Sequence, residues 1–521
     1  MRICLPIAEA GQPLPSPPLT APADRRRRQD LELHIEVSRG GLGYNDDHLI
    51  PVGRNPWFRM NLDFLRRTPK LDSTNKRIFR AAVVVGLLAI VAKTMGSVKE
   101  LVVARSFGRS DTLDAFLIAY LVPAFVVSLT SGALASALIP VLVERRHREG
   151  TPGVQRLLSS LVLLITAALV VVAVLLALLA PFYLRWVGHA FSAAKLHLTR
   201  QLLYALLPFV LFSGVSLFVS SALNAHEVFG LPALAPLITP LATIGSIVLL
   251  APRWGGFALA AGVVVGSLLE AGLLLAVLHR HGVRLGLEWK QFDPDVGRVL
   301  SQYAPMLGGA LLMGGTSVVD QAMAAMLPGG SVAALSYANK IVGAILAIGG
   351  TALNTGAFPY FSKMVAGNDW PGLRHTLKRY SMLVVLVTVP LTLLLIAFSR
   401  PLVRLLFQRG AFTSADTELV GWVQVCYALQ IPFFLWSLLF VRFLSSVRRN
   451  DLLMYLAAIN LTVDIVLNLL LMRIWGVAGI ALSTSIMSAL SFVLLAIGSV
   501  RLLSPARTAS LAVARTQEAA R

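Results

Sequence analysis

The chain has 521 residues, 56% of them hydrophobic and 14% charged, with a mean hydropathy of +0.73, a balance that excludes a water-soluble domain of this size and points to lipid as the solvent. The formal net charge of +20 would suit nucleic acid, but the Arg residues fall mainly in an N-terminal segment and in loops between apolar runs, where membrane topology explains them. Only Cys4 and Cys426 are present, far apart in sequence, which excludes a disulfide framework or a thiolate metal site.

Residues 1 to about 75 begin Pro-rich, carry Arg25 to Arg28 in a row and hold no apolar run of signal-peptide or spanning length. They read as a disordered cytoplasmic tail, with Met60 as an alternative start. From Ile78 onward about twelve apolar segments follow, at roughly 78–104, 112–142, 156–184, 199–222, 230–251, 256–279, 299–326, 332–362, 377–398, 418–444, 451–472 and 476–503. Each is long enough to cross about 30 Å of hydrocarbon as a helix. Barrel strands are excluded, because Leu161 to Ala180 and Met382 to Phe398 are apolar on nearly every face and do not alternate.

Basic residues orient the spans. Arg145, Arg146 and Arg148, then Arg280, Arg284 and Lys290, then Lys363, Arg374, Lys378 and Arg379, and finally Arg448 and Arg449 lie on one side with the N-terminal tail, which makes that side cytoplasmic. Arg400, Arg404 and Arg409 run against the bias. A fixed offset of 219 residues superposes Ala115, Ala119, Ala133, Leu134 and Pro140 on Ala334, Ala338, Ala352, Leu353 and Pro359, in spans of the same inside-outside sense. The expected architecture is an all-α polytopic membrane protein with two pseudo-symmetric six-helix lobes, 76–285 and 286–505, around a central cavity. Residues 506–521 read as a cytoplasmic tail.

Ionisable residues inside the spans are Lys93, Lys99, Glu100, Asp114, Glu270, Asp320, Lys340 and Asp464. Each costs at least about 2.5 kcal/mol near a helix centre, so each requires a partner, a wet cavity or a short route to the interface. Lys93 lies about 12 residues, or ~18 Å, beyond Ala81 and thus near mid-membrane. Either it serves a cavity or it pairs with a carboxylate such as Asp114 or Glu100. Lys99 and Glu100 form either an interfacial pair or part of the cavity. Lys340 follows the polar run Ser336, Tyr337, Ala338, Asn339 and is placed in the cavity. Three lysines around one void would favour an anionic substrate. Asn460 and Asp464 share a helix face, and with Asp320 and Thr484 they supply oxygen ligands for Na⁺ or a transferred proton; the alternative is a buried polar cluster that locks the second half together. Glu270 is either a packing residue or a proton site.

The stretch KELVVARSFGRSDTLDAFLIAYLVPAFVVSLTSGALASALIPVLVE, Lys99 to Glu144, resembles the signature of the MurJ (MviN) family, and Asp114 falls on that family's Asp. SVVDQAMAAMLPGGSVAALSYANKI, Ser317 to Ile341, and RLLFQRGAFTSADT, Arg404 to Thr417, are similar to two further family passages. The resemblance implies the MOP exporter superfamily, shared with MATE transporters, and alternating access that carries a polyprenyl-pyrophosphate-linked envelope precursor outward across the bacterial inner membrane. It implies no enzymatic activity and a monomer with both termini cytoplasmic. Lys93, Lys99 and Lys340 would line the substrate cavity with Glu100, Asp114 and Asn339. A Na⁺ site would map onto Asp320, Asn460, Asp464, Thr484 and the backbone of Ile480, and no other cofactor is expected. Departures are that all three cavity cations are Lys where the family prefers Arg, and that Val126, Val127, Ser128 and Ser131 stand where it carries an Arg pair and a Glu. Lys lacks the planar fork that grips phosphate in two places. The sequence also has no counterpart of two additional helices that form a lipid-tail groove in the family. Competing readings are a multidrug exporter of the same superfamily and a membrane glycosyltransferase or ligase; the latter would need a soluble catalytic loop or a carboxylate and His cluster at one membrane face, and none is visible. No metal-ligand spacing, phosphate-cradling motif or repeated filter-like segment occurs either.

Overall fold

A computed structural model describes residues 74–503 apart from 284, 287–293, 357 and 448. The side chains of 74–84, 131–133, 135–136, 294, 304–306, 309, 312–313, 355–356, 358–359 and 450 are outside the described set too. The expected tails, with Met60 and Arg25 to Arg28, therefore lie outside the described residues, as do Arg284, Lys290, Arg448 and the Ser131 side chain.

Every regular element among the described residues is helical. In chain order these are α1 (Thr74–Phe107), α2 (Asp111–Val187), α3 (Ala193–Ala225), α4 (Gly230–Leu234), α5 (Ile238–Trp254), α6 (Gly256–Arg280), α7 (Pro294–Ala324), α8 (Ser331–Gly356), α9 (Phe358–Ala366), α10 (Trp370–Ala397), α11 (Ser399–Phe407), α12 (Ser414–Ala428), α13 (Gln430–Ser446), α14 (Asn450–Trp475) and α15 (Val477–Leu502). Ten segments among the described residues are long and apolar enough to cross a membrane. They do not include α1 or α7, whose described parts are incomplete but whose lengths of 34 and 31 residues exceed the about 20 that a span needs.

Local sequence sets the breaks. The 77-residue α2 turns back on itself at Gly150 (φ 66, ψ −158), a conformation that a Cβ would strain; Leu134 and Leu138 on one limb and Leu157, Leu158 and Leu161 on the other then share one apolar cluster. Ser110 and Ser192 cap α2 and α3 by accepting hydrogen bonds from backbone N–H groups, and Thr413 and Asp416 form a capping box on α12. Gly255 (φ 51, ψ −126) links α5 to α6, and Gly476 (φ 57, ψ −133) links α14 to α15. Each follows a Trp, so the two halves turn with the same residues in the same conformation. The anomalous Arg400 and Arg404 fall on α11, a short amphipathic helix that buries Ser399, Val403 and Phe407, the form of an element lying along an interface.

The apolar clusters define how the halves meet. One joins both: Val103, Leu113, Phe116 and Leu203 from the first half are contiguous with Val332, Tyr337, Phe412 and Val423 from the second. This cluster sits at the end opposite the basic loops. Toward the basic loops each half has its own cluster, one around Leu138, Leu158 and Phe218, the other around Phe361, Leu439 and Phe443. Helix α7 departs from the expected boundary at 285/286. Its first turns, through Val296, Val299 and Tyr303, pack in the first half's cluster, while Met323 and Ala324 at its far end belong to the shared one. Large apolar side chains such as Leu178, Phe182, Met382 and Leu386 face outward, as a lipid-facing surface requires.

Candidate functional site

Between the halves lies a cavity of about 340 Å³ whose polar lining includes Lys99 and Glu100 on α1, Tyr120 and Ser128 on α2, Thr239 and Thr243 on α5, Ser317 and Gln321 on α7, and Ser336 and Lys340 on α8. Ser336 and Lys340 are one turn apart and so share a helix face. Glu100 bridges the halves: its Oε1 lies 2.9 Å from Lys99 Nζ and 3.1 Å from Lys340 Nζ. The void therefore carries one surplus positive charge from these three groups. Of the two readings of Lys99 and Glu100, the cavity one fits this placement.

Other expected members lie elsewhere. Lys93, about 9 Å further along α1, is exposed and does not line the cavity. Neither carboxylate considered as its partner is available, since Glu100 is taken by two lysines and Asp114 is engaged as described below. Asn339 is exposed as well, turned about 100° around α8 from Lys340.

Asp114 is 1% exposed and lines nothing. It accepts hydrogen bonds from the backbone N–H groups of Gly330 (2.6 Å) and Ala333 (2.8 Å) and from Lys195 Nζ (3.0 Å). Its carboxylate thus sits in the first turn of α2 and caps the start of α8, where both helix dipoles favour negative charge. These two helix starts are the ones related by the 219-residue offset. The segments that carried the family resemblance converge here. Ala411 N donates to Arg105 O (2.8 Å), Arg109 Nε to Asp416 Oδ1 (2.9 Å) and Tyr337 Oη to Gly108 O (3.0 Å). A Cβ on Gly108 would stand 2.3 Å from Ala411 O, and one on Gly410 2.4 Å from Arg105 O, so the two loops approach at a distance only glycine permits. The arrangement closes the cavity at the end away from the basic loops. Lys195, a key member, sits just ahead of the expected fourth span and reads in sequence as an ordinary end-of-helix charge.

The acidic cluster assembles from α7, α14 and α15. Asp320 accepts from Asn468 Nδ2 (2.7 Å) and Thr484 Oγ1 (3.1 Å), and Ser483 Oγ donates to Asn468 Oδ1. Asp464 is fully buried and close enough to Asp320 for the two charges to act on one another. Both Asp464 oxygens and Asn460 Oδ1 are buried without a hydrogen-bond donor among the described residues. Orphaned oxygens at this depth are costly, and a cation or proton would satisfy them. The Ile480 carbonyl already accepts from Ser483 and Thr484. Among the described residues no three or more His, Cys, Asp or Glu side chains are placed to hold a metal ion together, so such a site would depend on amide and hydroxyl oxygens as well. Asn468 and Ser483 are members that sequence reasoning missed, although Asn460, Asp464 and Asn468 recur at intervals of four on α14. Helix α7 is the shared wall: Ser317 and Gln321 face the cavity and Asp320 faces the cluster.

The family model described as "Lipid II flippase MurJ" matches residues 103–515. The probable lipid II flippase MurJ of Bdellovibrio bacteriovorus is 26% identical over 435 residues, 82% of this chain and 82% of its own length. The lipid II flippase MurJ of Burkholderia cenocepacia is 27% identical over 366 residues, 68% of this chain and 70% of its own. Among solved structures, a lipid II flippase MurJ in an inward closed conformation superposes with a TM-score of 0.69 at 22% identity, covering 84% of this chain and 93% of that one. A multidrug resistance MATE family transporter of the MOP superfamily, inward-facing, gives 0.64 at 10% identity, covering 81% and 98%. These structures share the fold of two helical halves around a cleft, and the family model carries the kinship: the chain is a multi-pass membrane protein that belongs to the MurJ lipid II flippase family.

Proposed function

We propose that the protein moves a polyprenyl-pyrophosphate-linked cell-envelope precursor from the cytoplasmic to the outer leaflet of the bacterial inner membrane by alternating access, without catalysing a chemical step, and with both termini cytoplasmic. The observation that carries this reading is the bridge across the cavity, Lys99 and Lys340 from opposite halves held on the single carboxylate of Glu100. The Lys99 and Lys340 side chains are 28% and 48% exposed, open toward the cavity, and share the Glu100 carboxylate as counter-ion. Glu100 offsets one of the two positive charges, and a diphosphate, with more charge and more acceptor oxygens, can displace it. Because the cations come from both halves, the headgroup would draw the halves onto itself and thereby trigger the change of access.

The acidic cluster is the proposed coupling site. Asp320, Asp464, Asn460 and Thr484 would hold Na⁺ or a proton, with Asn468 positioning Asp320. A bound ion supplies charge neutralisation between the two carboxylates. Since α7 borders both the cluster and the cavity, occupancy of one bears on the geometry of the other. A cationic drug is a poor fit to a void with surplus positive charge, so the multidrug reading is not favoured.

The test is complementation of a MurJ-depleted strain alongside an exopolysaccharide-flippase mutant. Rescue of either names the substrate class. Failure of both, with the protein present in the membrane, would overturn the flippase reading.

A further inference from the structure

Glu270 takes no part in the cavity or the acidic cluster, yet its surroundings are specific. Its Oε1 accepts from Ser216 Oγ on α3 and its Oε2 from Thr239 Oγ1 on α5, both at 2.9 Å. Gly262, Gly266 and Glu270 form one stripe on α6 at intervals of four. A Cβ on Gly262 would stand 2.5 Å from Thr243 Cα, and one on Gly266 2.6 Å from Thr239 Cα. The glycines press α6 onto α5 and leave Glu270 as the next residue on the seam, opposite Thr239. There α5 is preceded by a 3₁₀ turn, Ala235–Leu237, and Pro240 removes a backbone N–H in the first turn.

We infer that Glu270 is a proton-binding site in the first half, reached from the central cavity through Thr239. Thr239 and Thr243 line the cavity and Thr239 Oγ1 is bonded to the carboxylate, so one residue stands between the cavity and Glu270. Among the described residues no cation is paired with it. On α3, Lys195, His197, Arg200 and Tyr204 lie in the first turns; on α5, Arg253 lies at the far end; on α2 the charged groups lie at the ends and around the Gly150 break. On α6 itself His279 and Arg280 lie in the last turn, and the hydrogen bonds to Glu270 come from the hydroxyls of Ser216 and Thr239. A bare carboxylate in a helix bundle is costly, and protonation removes that cost without a new partner. The proton balance closes locally. A proton from cavity water binds Oε2, Thr239 Oγ1 becomes its acceptor, and the Thr239 hydrogen turns back to the carbonyl four residues earlier, as Thr243 Oγ1 already does to Thr239 O at 2.8 Å. The site is distinct from the proposed coupling cluster and rests on the transporter reading only for its second test.

The first test uses the full chain in liposomes without substrate. A pH-jump infrared difference spectrum is expected to contain a carboxyl C=O band that is lost in Glu270→Gln and shifted in Thr239→Val and in Ser216→Ala. Superposable spectra of wild type and Glu270→Gln would overturn the site. If Glu270→Gln does not fold, Glu270→Asp keeps the acid but not its reach, and a band that it leaves unmoved would overturn the site equally. The second test measures flux of a labelled polyprenyl-pyrophosphate lipid under an imposed pH gradient. Glu270→Gln is expected to lose the gradient dependence at least tenfold, and an undiminished dependence would overturn coupling through this residue. Lys340→Ala separates the two ideas. Its infrared band is expected to persist, so normal flux in that variant would sink the cavity reading while the band still decides whether Glu270 binds a proton.

Discussion

At the end away from the basic loops the two halves share one apolar core and are laced by Asp114 on the start of α8, Arg109 on Asp416 and the glycine-to-backbone contact of two loops. At the other end each half has its own core; α2 is tied to the start of α7 by the largely buried pair Arg145–Asp295 (2.8 Å) and the exposed pair Arg298–Glu144 (3.2 Å), but those first turns of α7 pack in the first half's own cluster, so neither pair bridges the two cores. The contrast teaches where the work of a transport cycle falls. Buried, charge-assisted contacts are each worth about 1.5–3 kcal/mol, whereas exposed ion pairs contribute ~1 kcal/mol or less. In the proposed cycle substrate and ion would drive opening of the laced end, while the two separate cores at the other end can part with fewer buried ties to break.

Five substitutions probe that contrast. Lys340→Ala, or Lys99→Ala, removes one half of the bridge on Glu100 and is expected to abolish flux while membrane insertion persists; quantitative flipping assays in proteoliposomes check it, and wild-type flux would rule out a role for the bridge. Asp114→Asn weakens the cap on α8 and leaves Lys195 with Asp111 (2.6 Å). A loss of about 2 kcal/mol shifts the balance of the two access states roughly thirtyfold toward opening of the laced end, which spin-label distances across that end would report. Asp464→Asn is expected to reduce ion dependence of flux severalfold with substrate binding kept, checked by flux against Na⁺ concentration and against pH. Arg298→Ala breaks the exposed Glu144 pair at the loosely held end and should leave flux and thermal stability close to wild type; a large loss there would mean that both ends are latched.

The helical architecture is legible in the sequence because long apolar runs permit no other backbone in lipid. Lys99, Lys340, Asp320 and Asp464 are legible too, because a charge in such a run is conspicuous. How those charges are spent is not. The donors to Asp114 are backbone N–H groups more than 200 positions away and a lysine at a helix end, so its burial in a cap leaves no local trace, and a cavity role is the natural expectation from sequence. Lys93 shares chemistry and helix with Lys99 but not its surroundings, which only helix packing decides. Neutral members such as Asn468 and Ser483 raise no alarm in sequence, being cheap to bury once bonded. The α7 crossing between halves is hidden for a related reason: its apolar first turns suit either core.

Accessibility of the cavity tests the central claim most directly. With Cys4 and Cys426 replaced, a cysteine at Ser336, on the face shared with Lys340, is challenged from each side of the membrane by an impermeant thiol reagent. Labelling from the cytoplasmic side at rest and from the outer side during turnover is the predicted result. Protection from both sides under all conditions, or labelling that substrate and ion never shift, would contradict it.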